Sequence, residues 1–384
     1  MPYRILVPVS HPLGGIRTYM LYNFKRIHEA GFHFTFLSEA GNAFEQFKND
    51  TVGWEGTQWI ESPKGSGSRG LFMTLRRAIR SGSFSLIHSQ GLKAGTITAA
   101  ANLWRRVPHL ITLHDVIIPG NEIPGRFKAL KIAAISYVTR RASVIIPVSE
   151  DCEENHRQIF SAWNHGPVRV ETILNGIDLD RIGRSRHLFE TEGTPWIRKE
   201  LGIAPSAVVG GFFGRFMPQK GFDVLLEALG RLAAQGYGDR FRLIATKDPN
   251  GYLYETVTQA AERPEVARMV HFIDARPDIV PLLLQSDLCV IPSRWEACPI
   301  LPMEALVLGV PVVGTDCLGL REVLRHTPSH VVAKENAEAL ATALIDFIEH
   351  PTTEAAKEYI PIAAKRFDVN IAADKLLELY QRFL

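Results

Sequence analysis

The sequence predicts an α/β protein with two successive doubly wound domains. Short apolar runs that are rich in β-branched residues alternate with amphipathic segments of roughly 10–15 residues along most of the 384-residue chain. Strands separated by helices of this length form right-handed crossovers within a parallel sheet. The alternation is interrupted once, near residue 174, and then starts again. That interruption predicts a second sheet and a hinge between the two domains.

The first domain is predicted over residues 1–173. Segment 71–80 predicts a helix, because Leu71, Leu75 and Ile79 share one face and three arginines lie opposite. The Gly- and Ser-rich segment 61–70 predicts a flexible loop. The strand candidates are residues 5–9, 34–37, 86–88, 110–113, 144–148 and 168–173.

The second domain is predicted over residues 174–367 and starts with the turn Asn-Gly-Ile-Asp at 175–178. In open α/β sheets, ligands bind outside the carboxyl ends of the strands, so residues that follow strands are the candidates for a site. The strand candidates are residues 208–213, 242–246, 269–273, 288–291 and 311–314, and the helix candidates are 221–234, 253–261, 301–308 and 372–383.

Composition excludes several classes of protein. Hydrophobic residues make up 46% of the chain and charged residues 22%, which is typical of a globular protein and not of a disordered one. The four cysteines form no CxxC pair, and the histidines show no HExxH spacing, so a zinc site has no support. Without a basic leader or an apolar stretch near 18 residues, a cytoplasmic protein is expected.

Charge is distributed unevenly along the chain. The formal net charge is only +2, which gives no reason to expect nucleic acid as a partner. Residues 1–190 contain 23 Lys and Arg against 16 Asp and Glu, a net charge of +7, and the remainder carries −5. A basic half joined to an acidic half indicates two domains with different partners.

Two candidates for ligand contact follow strands of the first domain. Gly14 and Gly15 lie between the first strand and a helix, where a ligand can approach the backbone and the positive end of the helix dipole. A tight turn that needs a positive φ explains the pair equally well. His114 follows strand 110–113 and is suited to hydrogen-bond a substrate or transfer a proton, although a structurally bonded histidine is an equal alternative.

A cationic loop follows the first strand of the second domain. Residues 214–221 read Gly-Arg-Phe-Met-Pro-Gln-Lys-Gly, so that Arg215 and Lys220 lie between two glycines at the start of a helix. This arrangement favours a diphosphate, since arginine binds phosphate through two donors and lysine adds a compact charge. Solvated charges beside a turn are the structural alternative. The Walker sequence GxxxxGK[ST] is absent, which argues against ATP hydrolysis.

The most informative segment is 287–316. Glu296 lies in the loop after a buried strand, and Glu304 lies near the start of the helix predicted from Leu301. Carboxylates accept hydrogen bonds from sugar hydroxyls, and backbone N–H groups at 298–301 are placed to meet phosphate oxygens. A single exposed glutamate is usually a solvated surface residue, but ionisable groups gathered after a strand are more often functional.

The spacing of Glu296 and Glu304 in PSRWEACPILPMEALVLGVPVV resembles the E-x7-E signature of the family 4 retaining glycosyltransferases, which have a GT-B fold. The motifs GGIRTY, TLHD, VSE, ILNGID and GRFMPQKG extend the resemblance, in order, over almost the whole chain. It implies two Rossmann-like domains that face a central cleft. The N-terminal, acceptor-side domain is 1–173, completed by the last helix within 368–384, and the nucleotide-sugar domain is 174–367.

The resemblance also implies roles for single residues. Arg215 and Lys220 would hold the donor diphosphate, Glu304 the ribose hydroxyls and Glu296 the transferred sugar. His114 would lie near that sugar, and Glu296, His114, Arg215 and Lys220 form the implied catalytic set. The further donor contacts implied are Gly14, Gly15, Cys298, Pro299, Ile300 and Leu301. No metal and no cofactor is implied, and UDP is favoured over GDP as the donor nucleotide.

Three positions depart from the family pattern. Residues 246–249 read Thr-Lys-Asp-Pro where relatives often have a glycine-rich turn, and residues 297–299 read Ala-Cys-Pro in place of Gly-Phe-Gly. Residues 88–90 read His-Ser-Gln, with one histidine where many relatives have two. None of these changes removes a residue assigned to the diphosphate or the ribose.

The predicted function is a retaining glycosyltransferase that moves a sugar from a nucleotide-diphosphate sugar to a hydroxyl of a growing glycan, glycolipid or other glycoconjugate. A sugar-nucleotide epimerase of similar fold and a non-catalytic sugar-nucleotide-binding subunit are the alternatives. A two-domain NAD dehydrogenase is disfavoured, because GxGxxG is absent.

Residues 126–142 predict a basic amphipathic helix. Such a helix is suited to lie on an anionic membrane and bring the enzyme to a lipid-linked acceptor. A crossover helix with a solvated basic face explains the pattern as well. The cations of this segment are Arg126, Lys128, Lys131, Arg140 and Arg141.

Overall fold

The chain forms two α/β units in the computed structural model, which describes residues 3–118, 127–165, 168–249 and 251–384. One unit comprises Met1–Gly176 together with Val369–Leu384, and the other comprises Ile177–Asp368. For comparison, the sequence placed the boundary between residues 173 and 174 and the returning segment at 368–384. No helix within the described ranges combines the length and apolar character needed to cross a membrane.

The N-terminal unit has a parallel sheet whose described strands run in the order β3-β2-β1-β4-β5-β6-β7. Its strands are β1 (Arg4–Pro8), β2 (His33–Glu39), β3 (Gln58–Ser62), β4 (Leu86–Gln90), β5 (His109–Leu113), β6 (Val144–Pro147) and β7 (Arg169–Val170). Its helices are α1 (Gly14–Glu29), α2 (Asn42–Thr51), α3 (Gly67–Ser81), α4 (Leu92–Ala101), α5 (Lys128–Thr139) and α6 (Glu150–Ile159), followed by a 3-10 turn at Ser161–His165.

The C-terminal unit repeats this strand order as β10-β9-β8-β11-β12-β13, again in parallel. Its strands are β8 (Val208–Phe212), β9 (Phe241–Thr246), β10 (Val270–Ile273), β11 (Leu288–Ile291), β12 (Val312–Thr315) and β13 (His330–Val332). Its helices are α7 (Leu179–Glu192), α8 (Ile197–Glu200), α9 (Phe222–Ala234), α10 (Tyr254–Ala261), α11 (Val280–Leu283), α12 (Leu301–Val307), α13 (Leu320–Leu324), α14 (Ala337–Glu349) and α15 (Thr353–Phe367), with a 3-10 turn at Pro218–Lys220.

The last helix, α16 (Val369–Gln381), belongs to the N-terminal unit. The Arg26 guanidinium of α1 contacts both carboxylate oxygens of Asp374, at 2.7 and 3.0 Å. Tyr380 is fully buried, and its hydroxyl lies 2.6 Å from Nδ1 of His88 on β4. The chain therefore ends by packing against its own first sheet.

The central strands are buried on both faces, which explains why they are continuous apolar runs. Ile5, Leu6 and Val7 of β1 are fully buried, and α9 packs Leu225 and Leu229 into the core of the C-terminal unit. In each sheet the strand order reverses beside its first strand, between β1 and β4 and between β8 and β11. Such a reversal is where ligands bind in open parallel sheets.

The structure corrects the sequence prediction at the sheet edges. The flexible loop predicted at 61–70 is wrong at both ends, because 61–62 complete β3 and 67–70 form the first turn of α3. The edge strands β3 and β13 are absent from the predicted set, and β7 is shorter than the segment 168–173. Edge strands such as β3, whose Gln58 and Glu61 are exposed, lack the apolar run that marks a central strand.

Candidate active site

Gly221 brings two loops together at the strand reversal of the C-terminal unit. It follows the 3-10 turn Pro218–Lys220 and starts α9 with a left-handed φ of +64°. A Cβ at this position would collide with the carbonyl oxygen of Pro292, the residue after β11. Only glycine satisfies both conditions, so the loop that carries Lys220 lies against the loop that carries Glu296.

Lys220 and Glu296 form an ion pair at this point. Lys220 Nζ lies 2.6 Å from Glu296 Oε1, which also accepts a hydrogen bond of 2.7 Å from Ser293 Oγ. Gln219 Nε2 donates to the other carboxylate oxygen at 3.3 Å. The Glu296 side chain is 7% exposed and that of Lys220 27%. The carboxylate is therefore fixed by three partners, while the ammonium keeps N–H donors for a further anion.

The segment just before α13 also fixes the loop that carries Glu296. The Glu296 N–H donates to the carbonyl of Leu318 at 3.0 Å. Gly319, with φ +73°, starts α13, and a Cβ there would collide with the backbone oxygens of residues 296 and 297. The orientation of Glu296 thus depends on a second close approach that excludes side chains.

Glu304 lies in a different environment, on the seven-residue helix α12. Its side chain is 9% exposed, and its Oε1 lies 4.0 Å from Arg181 of α7. Arg181 also lies 3.6 Å from Asp278, which accepts a hydrogen bond from Ser185. Burial raises the pKa of Glu304 to about 7; Arg181 opposes this rise and Asp278 adds to it. Glu304 is therefore a carboxyl group whose charge depends on pH near neutrality.

Arg215 is the more exposed cation of the predicted pair, with 55% of its side chain accessible. Its Nε lies 3.6 Å from Asp248, which also accepts a hydrogen bond of 3.1 Å from the Phe216 N–H. Asp248 belongs to the segment 246–249 that departs from the glycine-rich family pattern. Its carboxylate supports the backbone beside Arg215 and lies near the guanidinium.

The predicted phosphate contacts at 298–301 include one residue without a backbone donor. Pro299 has no amide proton, so only Cys298, Ile300 and Leu301 can donate a backbone hydrogen bond. The carbonyl of Ile300 accepts from the N–H groups of Met303 and Glu304, at 2.9 and 3.1 Å, as the first turn of α12 forms.

In the N-terminal unit, the predicted glycines lie at the start of the 16-residue helix α1. Gly14 has a φ of +53°, which favours glycine whatever the space around it. Apart from the adjoining residues and the nearby backbone of α1, no described atom lies within 4 Å of a Cβ built on Gly14 or Gly15. The two residues therefore leave the backbone open to close approach.

His114 is half-buried and directly follows β5. Its Nε2 lies 2.9 Å from Oε1 of Gln90, and the ring of Tyr19 meets it edge to face at 4.7 Å between centroids. Burial lowers the pKa of His114 to about 3. The imidazole is therefore neutral near pH 7. It can form hydrogen bonds but does not carry a second proton at that pH.

Comparison with known families agrees with this geometry. Residues 207–350 match the model described as glycosyl transferases group 1, and residues 13–181 match the model described as glycosyltransferase family 4. The chain is a glycosyltransferase with a family 4 domain and a group 1 domain. It is therefore a transferase enzyme, and the matches give no support to the epimerase alternative.

Relatives of this glycosyltransferase include the D-inositol 3-phosphate glycosyltransferase of Corynebacterium urealyticum. The two are 26% identical over 315 residues, which cover 78% of this chain and 72% of the relative. Anabaena HepE in complex with UDP has a TM-score of 0.77 at 22% identity, over 99% of this chain and all of HepE. A glycosyltransferase from Rickettsia africae has a TM-score of 0.78 at 18% identity, over 100% and 98% of the two chains. These likenesses confirm the predicted GT-B fold.

Sequence reasoning missed several residues that shape the site of this glycosyltransferase. Gln219 and Ser293 lie inside the motifs that were singled out, but their contacts with Glu296 depend on how the two loops meet. Arg181 and Asp278 are far apart in sequence and come together only through packing of α7 against α11. Gln90 lies in the segment 88–90 that the sequence singled out, but its contact with His114 could not be predicted from that segment.

Proposed function

We propose that this glycosyltransferase is a retaining enzyme that uses a nucleotide-diphosphate sugar, with UDP favoured over GDP. The acceptor is a hydroxyl of a growing glycan, glycolipid or other glycoconjugate. The observation that carries the proposal is the Lys220–Glu296 pair at the strand reversal between β8 and β11. Structures of the similar HepE contain UDP and UDP-glucose, which supports a UDP-sugar donor.

Lys220 and Arg215 are proposed to hold the donor diphosphate. Negative charge develops on the diphosphate as the bond to the sugar breaks, and fixed cations stabilise that charge most when they need no rearrangement. Lys220 is held by Glu296 at 2.6 Å, and Arg215 lies beside Asp248, so both are positioned by carboxylates of their own unit. No metal and no cofactor is needed for this role.

The two glutamates are proposed to bind different parts of the donor. Glu296, which is fixed by three partners, would contact the transferred sugar. Glu304 would accept hydrogen bonds from the ribose hydroxyls. Ribose hydroxyls are strong donors to a carboxylate, so nucleotide binding would favour the ionised form of Glu304 and lower its raised pKa.

In the proposed reaction, the acceptor oxygen forms a bond to the anomeric carbon on the face from which the diphosphate leaves. The acceptor proton passes to the departing phosphate oxygen, so neither glutamate has to become a covalent nucleophile. His114 is proposed to bind a hydroxyl of the transferred sugar. Gly14 and Gly15, together with the backbone at Cys298, Pro299, Ile300 and Leu301, are the remaining proposed donor contacts.

Thermal-shift measurements with UDP, GDP, ADP and their common sugar conjugates, in the presence of a chelator, test this proposal. A ligand that binds the native state raises the melting temperature. We expect a shift with UDP and a UDP-sugar that Lys220→Ala reduces and Lys357→Ala retains; Lys357 is an exposed lysine of α15 paired with Glu354. No shift with any nucleotide in the wild type would contradict the proposal.

We also propose that the enzyme is cytoplasmic and contacts anionic membranes through α5. Phe127, Leu130 and Tyr137 are each more than half exposed on a segment that carries Lys128 and Lys131. Apolar side chains flanked by cations are suited to the headgroup region of such a membrane. Of the predicted cations, Arg126 lies outside the described residues.

Co-sedimentation with vesicles that contain phosphatidylglycerol tests the membrane proposal. Binding at low salt should fall in Leu130→Ser, while Leu188→Ser, at an exposed leucine of α7 in the other unit, serves as the matched control. Absence of binding at low salt, or equal binding by both variants and the wild type, would contradict it.

A further inference from the structure

Gln90 is a buried amide at the strand reversal of the N-terminal unit. It is the last residue of β4, is 2% exposed, and pairs in register with Thr112 of β5, two residues before His114. A buried amide has to be satisfied by hydrogen bonds. Its Nε2 donates to the backbone carbonyl of His88 at 3.3 Å, and its Oε1 lies 2.9 Å from His114 Nε2.

These two contacts fix the proton on His114. A backbone carbonyl is only an acceptor, so the amide nitrogen of Gln90 has to face His88 and the amide oxygen has to face His114. The imidazole must then carry its proton on Nε2. Because His114 is neutral near pH 7, it holds a single ring proton, and Nδ1 is left as a hydrogen-bond acceptor.

The groups that face His114 keep this arrangement independent of pH. Tyr19 packs against the ring from α1, and burial raises the pKa of its phenol above the ordinary value. On β4, burial lowers the pKa of His88 to about 3, and the ring nitrogens of His88 lie 2.6 Å from the Tyr380 hydroxyl and 2.7 Å from the Thr112 hydroxyl. None of these groups changes charge between about pH 5 and pH 9.

We propose that Gln90 is a positioning residue that holds His114 as the Nε2–H tautomer, so that Nδ1 accepts a hydrogen bond from a hydroxyl of the transferred sugar. The proposal rests on the proposed function, in which His114 binds that sugar. A neutral acceptor contacts a hydroxyl without adding charge. An imidazolium would instead offer a donor at the same atom. The amide of Gln90 is oriented by the His88 carbonyl, so it presents only its oxygen, an acceptor, to His114.

The tautomer is tested by NMR of the wild-type protein labelled with 15N-histidine, with His114→Asn used to assign the signals. We expect a protonated Nε2 and a bare Nδ1 from pH 5.5 to pH 8.5. Gln90→Glu places a carboxylate beside Nε2, so the pKa of His114 should rise and its ring should become doubly protonated on the acidic side. Gln90→Met, of similar volume, should give a mixture of tautomers. A protonated Nδ1 in the wild type, or unchanged His114 signals in Gln90→Met, would overturn the proposal.

The functional role is tested by kcat and KM from pH 5.5 to pH 8.5. The donor is whichever of UDP-glucose, UDP-galactose, UDP-N-acetylglucosamine and GDP-mannose the wild type uses fastest. Gln90→Glu should lose about tenfold in kcat/KM at acidic pH and recover as the pH rises, since protonation removes the acceptor at Nδ1. Gln90→Met should lose activity equally at every pH. Identical pH profiles of the wild type and Gln90→Glu would overturn the role of Gln90. A wild type that transfers no sugar would instead contradict the proposed function. In that case the NMR result alone would decide which tautomer His114 adopts.

Discussion

The two units share one strand order but differ in the chemistry at the carboxyl ends of their strands. In the N-terminal unit, the buried His88 and Gln90 and the half-buried His114 form a network of uncharged groups. In the C-terminal unit, the corresponding region carries the pairs Lys220–Glu296, Arg215–Asp248 and Arg181–Glu304. Topology therefore determines where a ligand can bind, and the residues that follow the strands determine which chemical groups it can present.

The location of the cations proposed to hold phosphate differs from what the net charge of the two halves of the chain would suggest. Residues 1–190 are net positive and the remainder is net negative, yet the cations proposed to hold phosphate lie in the negative half. Three arginines of the basic half, Arg76, Arg77 and Arg80 of α3, border a surface depression of about 410 Å³. The net charge of a half therefore does not indicate which half carries the cations proposed to hold phosphate.

Among the substitutions in the C-terminal unit, removal of the Lys220 side chain should have the largest effect on turnover. Lys220→Ala should lower turnover on the order of a hundredfold to a thousandfold, because the departing diphosphate loses a fixed positive charge. Circular dichroism should show a folded protein, since Glu296 keeps its hydrogen bonds from Ser293 and Gln219. Near-normal turnover of Lys220→Ala, measured beside Lys357→Ala, would contradict the assignment of Lys220.

Glu304→Gln should separate stability from nucleotide binding. The folded-state pKa of Glu304, about 7, is raised above the ordinary 4.5, so its contribution to stability is present below about pH 4.5 and is lost as the pH rises through 7. The variant should therefore match the wild type at low pH and exceed it above pH 7, by up to roughly 3 kcal/mol in the free energy of unfolding. Its affinity for UDP should fall at the same time.

Denaturant unfolding at pH 4.5 and pH 8 measures this difference. Glu190→Gln, at an exposed glutamate of α7 paired with Arg186, is the control and should leave the pH dependence unchanged. A Glu304→Gln protein that is less stable than the wild type at pH 8 would show that Glu304 is ionised and favourably paired in the free enzyme.

The approach of the two loops is tested by Gly221→Ala, for which a loss of about 1–3 kcal/mol in stability is expected. The added methyl group would strain a left-handed backbone and collide with the carbonyl of Pro292. Gly230 lies in the middle of α9 with room for a Cβ, so Gly230→Ala should instead stabilise the protein by about 0.5–1 kcal/mol. Equal stability changes from the two substitutions, measured in urea, would show that the contact with Pro292 is not required.

The central strands and the principal candidate residues could be predicted because each depends on local sequence. A buried parallel strand is a continuous apolar run, as in β1 and β11, and Arg215, Lys220 and Glu296 follow such runs directly. The edge strands β3 and β13 could not be found in this way. The contacts of the site residues could not be predicted from the sequence either. Asp278 contacts Arg181, and Gln219 contacts Glu296, although each pair is far apart in sequence, because packing brings them together.

The division of roles between the charged residues of the C-terminal unit and the uncharged network of the N-terminal unit is tested most directly by calorimetry. UDP is titrated into the wild type, Lys220→Ala and His114→Asn without added metal. If phosphate binding belongs to the charged region, Lys220→Ala should weaken UDP binding by about tenfold or more, since a charge-assisted contact is lost. His114→Asn should leave UDP affinity within about twofold, because UDP carries no transferred sugar for the neutral imidazole to contact. Equal weakening by the two substitutions would contradict this division of roles.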